Sequence, residues 1–338
     1  MIDRKDFHRH APDITKWIQQ YFDQLEQLPV KSQVVPGAIY KRIPEQMPES
    51  GEPLEAILQD MDRIILPGMT HWQHPNFHAY FPANSSVESV YAEMMTAAMG
   101  AQCMIWETSP AAAELEERMM EWLQRAMGIP KDWEGVIQDT ASSATLVAIL
   151  TAREKVTNFE ANENGVPPNL RVYCSSQTHS SIEKAVKIAG IGRKNLIKIS
   201  LDEQMRMRAD ALEAQIQQDM ESGYLPFCVV TAVGTTGTVA VDPIPEIGAI
   251  CARHNVWHHI DAAYAGSALI LPEYQWMIEG MEQADSFVFN PHKWLFTNFD
   301  CTAYYVKDAD MLVRTFDILP EYLKTRTRGQ VNDYRDWG

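Results

Sequence analysis

Residues 285–294 have the sequence Asp285-Ser-Phe-Val-Phe-Asn290-Pro-His292-Lys293-Trp294, a short apolar run followed by a histidine and a lysine. The aromatic and β-branched residues from Ser286 to Phe289 predict a buried strand of a parallel sheet, which Pro291 ends. A lysine just beyond a buried strand is expected to be partly desolvated, which lowers its pKa and makes its amine a nucleophile toward a carbonyl. The alternative interpretation of these ten residues is an ordinary surface lysine.

A second strand-like segment lies upstream and ends in a carboxylate. Its sequence is Val256-Trp-His-His-Ile260-Asp261-Ala262-Ala263-Tyr264-Ala265-Gly266. Because ligands of open α/β sheets lie at the carboxyl ends of the strands, we expect Asp261 and Lys293 to face one crevice. Pyridoxal phosphate needs a lysine amine that binds its aldehyde and a carboxylate that keeps its pyridine nitrogen protonated. A helix cap would explain Asp261 alone, but not the small Ala263 beside it, which leaves room for a flat ring.

These two segments resemble the signatures of the group II pyridoxal-phosphate decarboxylases, most closely the aromatic L-amino acid decarboxylases. The resemblance is carried by Asn290-Pro-His-Lys293-Trp and His259-Ile-Asp261-Ala-Ala263-Tyr-Ala-Gly-Ser, and it extends from about residue 7 to the last residue. It implies an α/β fold, the pyridoxal-phosphate fold-type I large domain, with a mostly parallel seven-stranded sheet between helices. It also implies that Lys293 and Asp261 are catalytic and bind the cofactor, with Ala263, Asn290 and His292 as further cofactor contacts.

Composition limits the class of protein and its partners. With 338 residues, 46% of them hydrophobic, the chain is long enough to bury one large core. Its five cysteines are odd in number and follow no metal-ligand spacing, and its first residues lack an apolar signal segment, so we expect a cytoplasmic protein without a metal. No run approaches the roughly 18 apolar residues of a membrane span. The net charge of −16 argues against nucleic acid as a partner.

Residues 1–84 are predicted to form an N-terminal helical arm followed by an aromatic pocket loop. Apolar residues recur at steps of three and four over residues 14–25 and again over residues 54–61, which predicts two helices separated by a Pro/Gly-rich break. An apolar stripe without a core of its own is buried most economically against a second copy of the chain. In the family this segment packs across a homodimer, so the resemblance implies the same association here.

The aromatic loop over residues 70–86 holds more rings than a connector needs. The resemblance makes it part of the pocket for the apolar side chain of an amino-acid substrate, whereas a satellite hydrophobic cluster under a loop is the alternative. The candidate pocket residues are Trp72, Tyr80, Phe81, Pro82 and Met104. The family pattern has an apolar residue and then a phenylalanine where this chain has Gln102 and Met104, so the side-chain selectivity stays open.

Residues 85–338 are predicted to form the pyridoxal-phosphate-binding large domain, ending in a catalytic loop. Strands and helices alternate there, which is typical of a parallel sheet with crossovers. We expect strands at residues 135–137, 172–175, 196–199, 227–233, 256–260, 287–289 and 302–306, and helices at 110–127, 180–189, 209–220 and 244–254. The absence of a Gly-x-Gly-x-x-Gly pattern argues against a dinucleotide fold. Family members continue into a smaller C-terminal domain, which we expect to be absent from this chain.

A hydroxyl-rich loop follows the first predicted strand of this domain and precedes a helix. Backbone amides at a helix N-terminus bind phosphate, and small residues let it approach. A plain N-cap is the alternative interpretation of the same sequence. The resemblance makes Thr140, Ala141 and Ser142 the contacts of the cofactor phosphate.

Two further loops follow predicted strands. In Ser175-Ser-Gln-Thr-His179-Ser-Ser, the resemblance makes His179 a catalytic residue that stacks on the cofactor ring, on the face opposite Ala263. A helix cap or a surface histidine is the alternative. In Gly234-Thr-Thr236-Gly-Thr, glycines allow close backbone approach, and Thr236 is a candidate cofactor contact. The alternative is a bare turn.

The predicted function is pyridoxal-phosphate-dependent decarboxylation of an aromatic L-amino acid to its amine and CO₂. An acidic amino-acid decarboxylase of the glutamate type is one alternative, but it needs a cationic clamp, and residues 72–82 contain no arginine or lysine. A non-catalytic protein that binds the cofactor is another.

The polar, basic stretch of residues 316–330 is predicted to be a mobile loop that closes over the site. It resembles the family's catalytic loop, whose tyrosine matches Tyr322. The resemblance implies that Tyr322 protonates the carbanion left when CO₂ departs, which favours an amine product over an aldehyde. The alternative is a tyrosine that merely packs its ring.

Overall fold

The computed structural model describes residues 4–318, 331, 337 and 338 of the chain. The chain divides into two compact units, Met1–Asn84 and Ser85–Gly338. These are the two regions that the sequence analysis separates, while a dimerisation role for the first unit stays a prediction. Within the described residues, no helix is both long and apolar enough to cross a membrane.

Within its described residues, the first unit contains two α-helices, which residues 25–53 connect. They are α1, Arg4–Gln24, and α2, Leu54–Asp60. Helix α1 begins about three turns before the apolar stripe that predicts it, because its first residues are mostly polar and give no such signal. Trp17 donates a hydrogen bond from Nε1 to Oδ1 of Asp62 at 2.8 Å, and the Tyr21 hydroxyl lies 3.0 Å from Nδ1 of His71. Aromatic side chains with polar atoms therefore link α1 to the segment after α2.

The second unit contains the remaining helices. Those from α3 to α7 are Val87–Met99, Pro110–Met127, Ala141–Thr157, Glu160–Asn164 and Ser181–Ile188. Those from α8 to α11 are Ala209–Glu221, Ile244–His254, Pro291–Trp294 and Ala309–Phe316. Helix α3 is absent from the sequence expectations. A capping box begins it, because the hydroxyls of Ser86 and Ser89 each accept the other residue's backbone N–H.

In the part of the chain that the structure describes, seven strands form one sheet, in the order β1-β7-β6-β5-β4-β2-β3. They are Glu134–Gln138, Leu170–Ser175, Leu196–Ile199, Leu225–Ala232, Trp257–Asp261, Ser286–Phe289 and Thr302–Val306. The prediction of a mostly parallel seven-stranded sheet is confirmed. Only β7 runs antiparallel to its neighbours β1 and β6. A parallel return usually crosses over through a helix that packs along the sheet, whereas the helix in the β6–β7 connection, residues 290–301, is the four-residue α10.

Helices cover both faces of the sheet, so its strands are buried on both sides. Val172 and Cys174 of β2 pack with residues of α5 and α7, whereas Tyr173 between them packs with residues of α8 and α9 on the opposite face. Such burial explains why the strands appear in the sequence as continuous apolar runs.

The sheet brings the candidate site residues to one edge. Strands β1, β2, β4, β5 and β6 all end there, and the antiparallel β7 begins there. The loops that follow these five strands carry most of the residues singled out by the sequence. The site therefore lies where open parallel sheets bind their ligands.

Candidate active site

Asp261 and Lys293 belong to neighbouring strands at this edge. Asp261 is the last residue of β5 and is buried; its Oδ1 accepts the backbone N–H of Ala263 at 3.0 Å. Lys293 is half-buried in α10, directly after β6, and its Nζ lies 5.9 Å from the centre of the Tyr264 ring. The structure brings the carboxylate and the amine to the same crevice.

Burial moves the pKa values of these two groups in opposite directions. It raises the pKa of Asp261, against the opposing effects of the Ala263 N–H, Lys293 and His179. It lowers the pKa of Lys293, and the Asp261 carboxylate opposes that shift in part. A lower pKa increases the neutral fraction of the amine, which is the nucleophilic form.

His179 lies on the exposed turn between β2 and α7, and a neighbour orients its ring. Nδ1 accepts the backbone N–H of Ser181 at 3.2 Å and lies 2.9 Å from the Ser181 hydroxyl. A backbone N–H only donates, so the neutral ring carries its proton on Nε2. The exposed imidazole leaves a face available to a planar ligand, and its electrostatic interaction with Asp261 opposes the rise in the pKa of that carboxyl.

Thr140 is the N-cap of the seventeen-residue helix α5. Its Oγ1 accepts the N–H of Ser143 at 3.2 Å, so Thr140 caps the helix, while its contact with a phosphate stays a prediction. Ala141 and Ser142 are the first two residues of the helix. Backbone N–H groups at this position have no acceptor within the helix, and the helix dipole is positive there. This end of α5 suits a phosphate, although the phosphate contacts themselves stay a prediction.

The turn after β4 presents Thr236 to solvent. Thr235 is buried, and its hydroxyl accepts the Ala240 N–H at 3.1 Å and lies 2.7 Å from the Thr238 hydroxyl. These bonds fix the turn internally. Thr236 is exposed at the same sheet edge as Asp261.

Asn290 and His292 are buried and connect α10 to the start of β7. The Asn290 Oδ1 accepts the Thr302 hydroxyl at 2.8 Å, and the His292 Nδ1 accepts the Cys301 N–H at 2.9 Å. Burial lowers the pKa of His292. Both side chains therefore fix the turn that carries Lys293, and direct contact with a cofactor stays a prediction for each.

The aromatic pocket candidates of the first unit pack on one another. The ring of Trp72 lies 5.6 Å from that of Tyr80 and 5.2 Å from that of Phe81, and Pro82 is half-buried. In the second unit, Met104 is 40% exposed and donates its N–H to Oε1 of Gln102 at 2.6 Å. The structure confirms a cluster around Trp72, and a pocket shared with Met104 stays a prediction. Tyr322 lies outside the described residues.

A buried polar network beneath Asp261 has no counterpart in the sequence expectations. His259, two residues before Asp261 on β5, lies 2.8 Å from the Ser286 hydroxyl and 3.3 Å from the Thr145 hydroxyl. Burial lowers its pKa to about 3, so it is neutral. It joins β5 to β6 and α5. His259 and Ser181, which orients His179, both lie in the quoted motifs. A histidine or a serine in a sequence does not by itself predict which distant side chain it will contact.

The residues at this edge fit pyridoxal phosphate. An amine, a carboxylate, an imidazole and a helix N-terminus match its aldehyde, pyridine nitrogen, ring face and phosphate, respectively. Gly234 lets the turn after β4 pack closely on the residues after Asp261, because a Cβ there would lie 2.4 Å from the Cβ of Ala265. Among the described residues, no group of three or more histidine, cysteine, aspartate or glutamate side chains could hold a metal ion.

Comparison with known proteins identifies the family. Residues 36–338 match the pyridoxal-dependent decarboxylase conserved domain. The chain is 40% identical to the aromatic-L-amino-acid decarboxylase of Manduca sexta, over 98% of this chain and 68% of that protein. It is 41% identical to the phenylacetaldehyde synthase of Arabidopsis thaliana, over 99% of this chain and 70% of that protein.

A solved structure gives the same assignment. The crystal structure of Oryza sativa TDC with PLP and tryptamine superposes with a TM-score of 0.96 at 33% identity, covering 99% of this chain and 71% of the other. The site geometry, the conserved domain and these relatives agree, and the chain belongs to the group II pyridoxal-phosphate-dependent amino-acid decarboxylases.

Proposed function

We propose that the protein decarboxylates an aromatic L-amino acid to the corresponding amine and CO₂. The observation that carries this proposal is the pairing of Lys293 with Asp261 at one sheet edge, where burial lowers the pKa of the lysine amine. An amine whose pKa is lowered by burial, beside a buried carboxylate, is what this cofactor chemistry needs.

Each group has a distinct task in this proposal. When bound, the cofactor supplies a ring that withdraws electrons from the substrate α-carbon. Lys293 would hold the cofactor aldehyde, and Asp261 would place its negative charge opposite the pyridine nitrogen. His179 would cover one face of the cofactor ring, and the small side chain of Ala263 would leave room for the ring on its other face. The amides of Ala141 and Ser142 would bind the phosphate, with Thr236 as a further hydroxyl donor.

An aromatic substrate is favoured by the composition of the loop over residues 72–82. Trp72, Tyr80 and Phe81 form an aromatic cluster, and the loop contains no arginine or lysine that could bind a carboxylate on the substrate side chain. The Manduca sexta relative is an aromatic-amino-acid decarboxylase, which supports the same assignment. An acidic substrate of the glutamate type is the second candidate, and a cofactor-binding protein without activity is the third.

The product is proposed to be the amine. The Arabidopsis thaliana relative is an aldehyde synthase, so membership of the family leaves both products open. The chain has a tyrosine at position 322, and a tyrosine hydroxyl is a proton donor that the α-carbon can use after CO₂ departs. The predicted closure of residues 316–330 over the site would also exclude water and oxygen.

The protein is proposed to be a cytoplasmic homodimer. All five cysteines, each within the described residues, are free thiols, which fits a reducing compartment. Helix α3 supports dimerisation: in the described chain none of its residues is buried, and it exposes Tyr91, Met94, Met95 and Met99. An apolar helix face of this kind is typical of a protein interface.

Spectroscopy and a substrate panel test the function. We expect the purified protein to bind pyridoxal phosphate with a visible absorption band, and borohydride to trap a covalent adduct that Lys293→Ala abolishes. A protein that stays colourless with added cofactor would contradict the cofactor assignment. In a panel of tyrosine, tryptophan, dihydroxyphenylalanine and glutamate, we expect CO₂ release from an aromatic substrate. Faster release from glutamate would establish the acidic alternative, and release from none would favour the non-catalytic one.

A further inference from the structure

Lys198 connects the edge strand β3 to the turn that carries His179. It lies opposite Cys174 in the parallel register of β2 and β3. Its Nζ is 3.1 Å from the Cys174 Sγ, 3.4 Å from the Ser175 carbonyl oxygen and 3.5 Å from the Thr178 hydroxyl. One ammonium therefore contacts the end of β2 and the residue immediately before His179.

Two hydrogen bonds within the turn from Ser175 to Thr178 also hold its backbone. The Thr178 hydroxyl donates to the Ser175 carbonyl oxygen at 2.8 Å, and the Gln177 N–H donates to the Ser175 hydroxyl at 3.1 Å. Beyond the turn, Ser181 orients the His179 ring through Nδ1. Ser181 thus sets the rotation of the imidazole, while the Lys198 contacts set the position of the backbone from which it projects.

The acceptors of Lys198 distinguish it from an ordinary surface lysine. They are a thiol, a carbonyl and a hydroxyl, all of them in or beside one turn, and none is a carboxylate. The carboxylate of Glu183 on α7 forms ion pairs with Lys187 and Arg193 at 3.0 and 3.1 Å. Lys187 is the main cause that lowers the pKa of Glu183, and the charge of Lys198 adds to it without an ion pair. A lysine that merely balanced surface charge would not need these three contacts.

We infer that Lys198 is a positioning residue for His179, holding the turn from Ser175 to Thr178 so that the imidazole lies over the cofactor ring. The inference rests on the proposed role of His179. It extends that role to a residue of β3, the outermost strand of the sheet, which carries none of the proposed cofactor contacts. In this role Lys198 would act through the turn and would contact neither cofactor nor substrate. Its effect is expected in the geometry and affinity of cofactor binding.

The first test compares Lys198→Met, which keeps the aliphatic stem and removes the ammonium, with the matched control Lys194→Met. Lys194 is an exposed lysine in the turn before β3. We expect Lys198→Met to weaken pyridoxal-phosphate binding about tenfold, because binding must then also order the turn that carries His179, and to change the visible circular dichroism of the bound cofactor. The control is expected to match the wild type in both, and both variants should keep the wild-type Tm without cofactor.

A second test establishes that the effect passes through His179. Because Lys198 acts by placing that ring, Lys198→Met should add nothing to the change in affinity and dichroism caused by His179→Ala. A further loss in the double variant would show a separate route and overturn the inference. So would a Lys198→Met protein that binds the cofactor like Lys194→Met. If the wild type binds no cofactor, the proposed function fails and the inference fails with it.

Discussion

At the scale of single residues, the same burial has opposite consequences for Lys293 and Asp261. Desolvation disfavours charge, so it lowers the pKa of the amine and raises that of the carboxylate, while their mutual attraction opposes both shifts. The amine gains nucleophilicity, and the carboxylate keeps a neighbouring cation and the Ala263 N–H that favour its ionised form. The strand ends thus hold two groups whose chemistry differs from that of exposed lysine and aspartate.

A prediction at this scale concerns the proton donor. Tyr322→Phe removes one hydroxyl and leaves the ring, so we expect cofactor binding and CO₂ release to persist. Without the donor, the product should shift from amine toward aldehyde and ammonia, with consumption of oxygen. Product analysis together with an oxygen electrode checks both. If the variant made amine at the wild-type rate, the proton would come from another group, with His179 the next candidate.

At the scale of elements, strand β5 holds two adjacent buried histidines that must stay neutral. His258 lies 2.9 Å from the Thr231 hydroxyl on β4, and His259 bridges to β6 and α5 on the other face. Burial lowers the pKa of each to about 3. Below their ordinary pKa of 6.5, the unfolded chain takes up protons that the folded sheet excludes.

The folded protein should therefore lose stability as the pH falls below 6.5. Each histidine contributes a slope of about 1.4 kcal/mol per pH unit to the free energy of unfolding. We expect His258→Gln to lower that slope by one such increment, and His8→Gln, at an exposed position of α1, to leave it unchanged. Urea unfolding between pH 5 and 7, the range that spans the ordinary histidine pKa, measures the slopes.

Asp242 affects the pH dependence of the free energy of unfolding in the opposite direction to the histidines, so the slopes of two variants must be compared. It is buried, accepts the N–H groups of Met207 and Ala232, and has a pKa raised by burial to about 6. Its raised pKa stabilises the fold at low pH, and that contribution is lost as the pH rises through 6. Since both variants retain Asp242, the difference between their slopes isolates the histidine. Equal slopes for the two variants would contradict the prediction.

The turn after β4 gives a second prediction at this scale. Gly234 has φ +78°, and a Cβ there would lie 2.4 Å from the Cβ of Ala265. Gly192 has φ +88°, with nothing within 4 Å of such a Cβ. Gly192→Ala should cost only the backbone strain, about 1 kcal/mol, and Gly234→Ala roughly 2–4 kcal/mol because the clash is added.

Removing the clash separates the two contributions. Gly234→Ala combined with Ala265→Gly should be more stable than Gly234→Ala with Ala265 retained, because only the strain and the loss of a buried methyl remain. Denaturant midpoints with unchanged m-values provide the measurement. Gly234→Ala no less stable than Gly192→Ala would show that the turn relaxes away from Ala265 and would disprove the prediction.

At the scale of the whole molecule, the proposed homodimer accounts for apolar surface that one chain leaves uncovered. We expect sedimentation of the intact protein to show a dimer. Met95→Glu should shift it toward monomer, because a charge would enter the interface, whereas Thr96→Glu tests the same change at an exposed polar position of α3. Wild-type protein that sediments only as monomer would refute the dimer, and a Met95→Glu protein that stays dimeric would remove α3 from the interface.

Local patterns determined the fold class and the two reactive groups of this protein. The apolar strand-length runs and the helical periodicity over residues 110–127 depend on neighbours in sequence, so the strands and this helix lie close to their predicted positions. Lys293 and Asp261 were predictable because residues at the ends of parallel strands converge whatever the details of packing. Helix α3 was missed because its apolar residues form no stripe against a core within this chain.

Only the tertiary structure decided the contacts between residues distant in sequence. The antiparallel direction of β7, the bridge from His259 to Thr145, and the reach of Lys198 to the turn before His179 each join elements that no local pattern relates. Asn290 and His292 lie in the most specific motif, yet their side chains bond to Thr302 and Cys301, which the sheet brings beside them. Such pairings follow from strand order and register, because these set which side chains meet across the sheet.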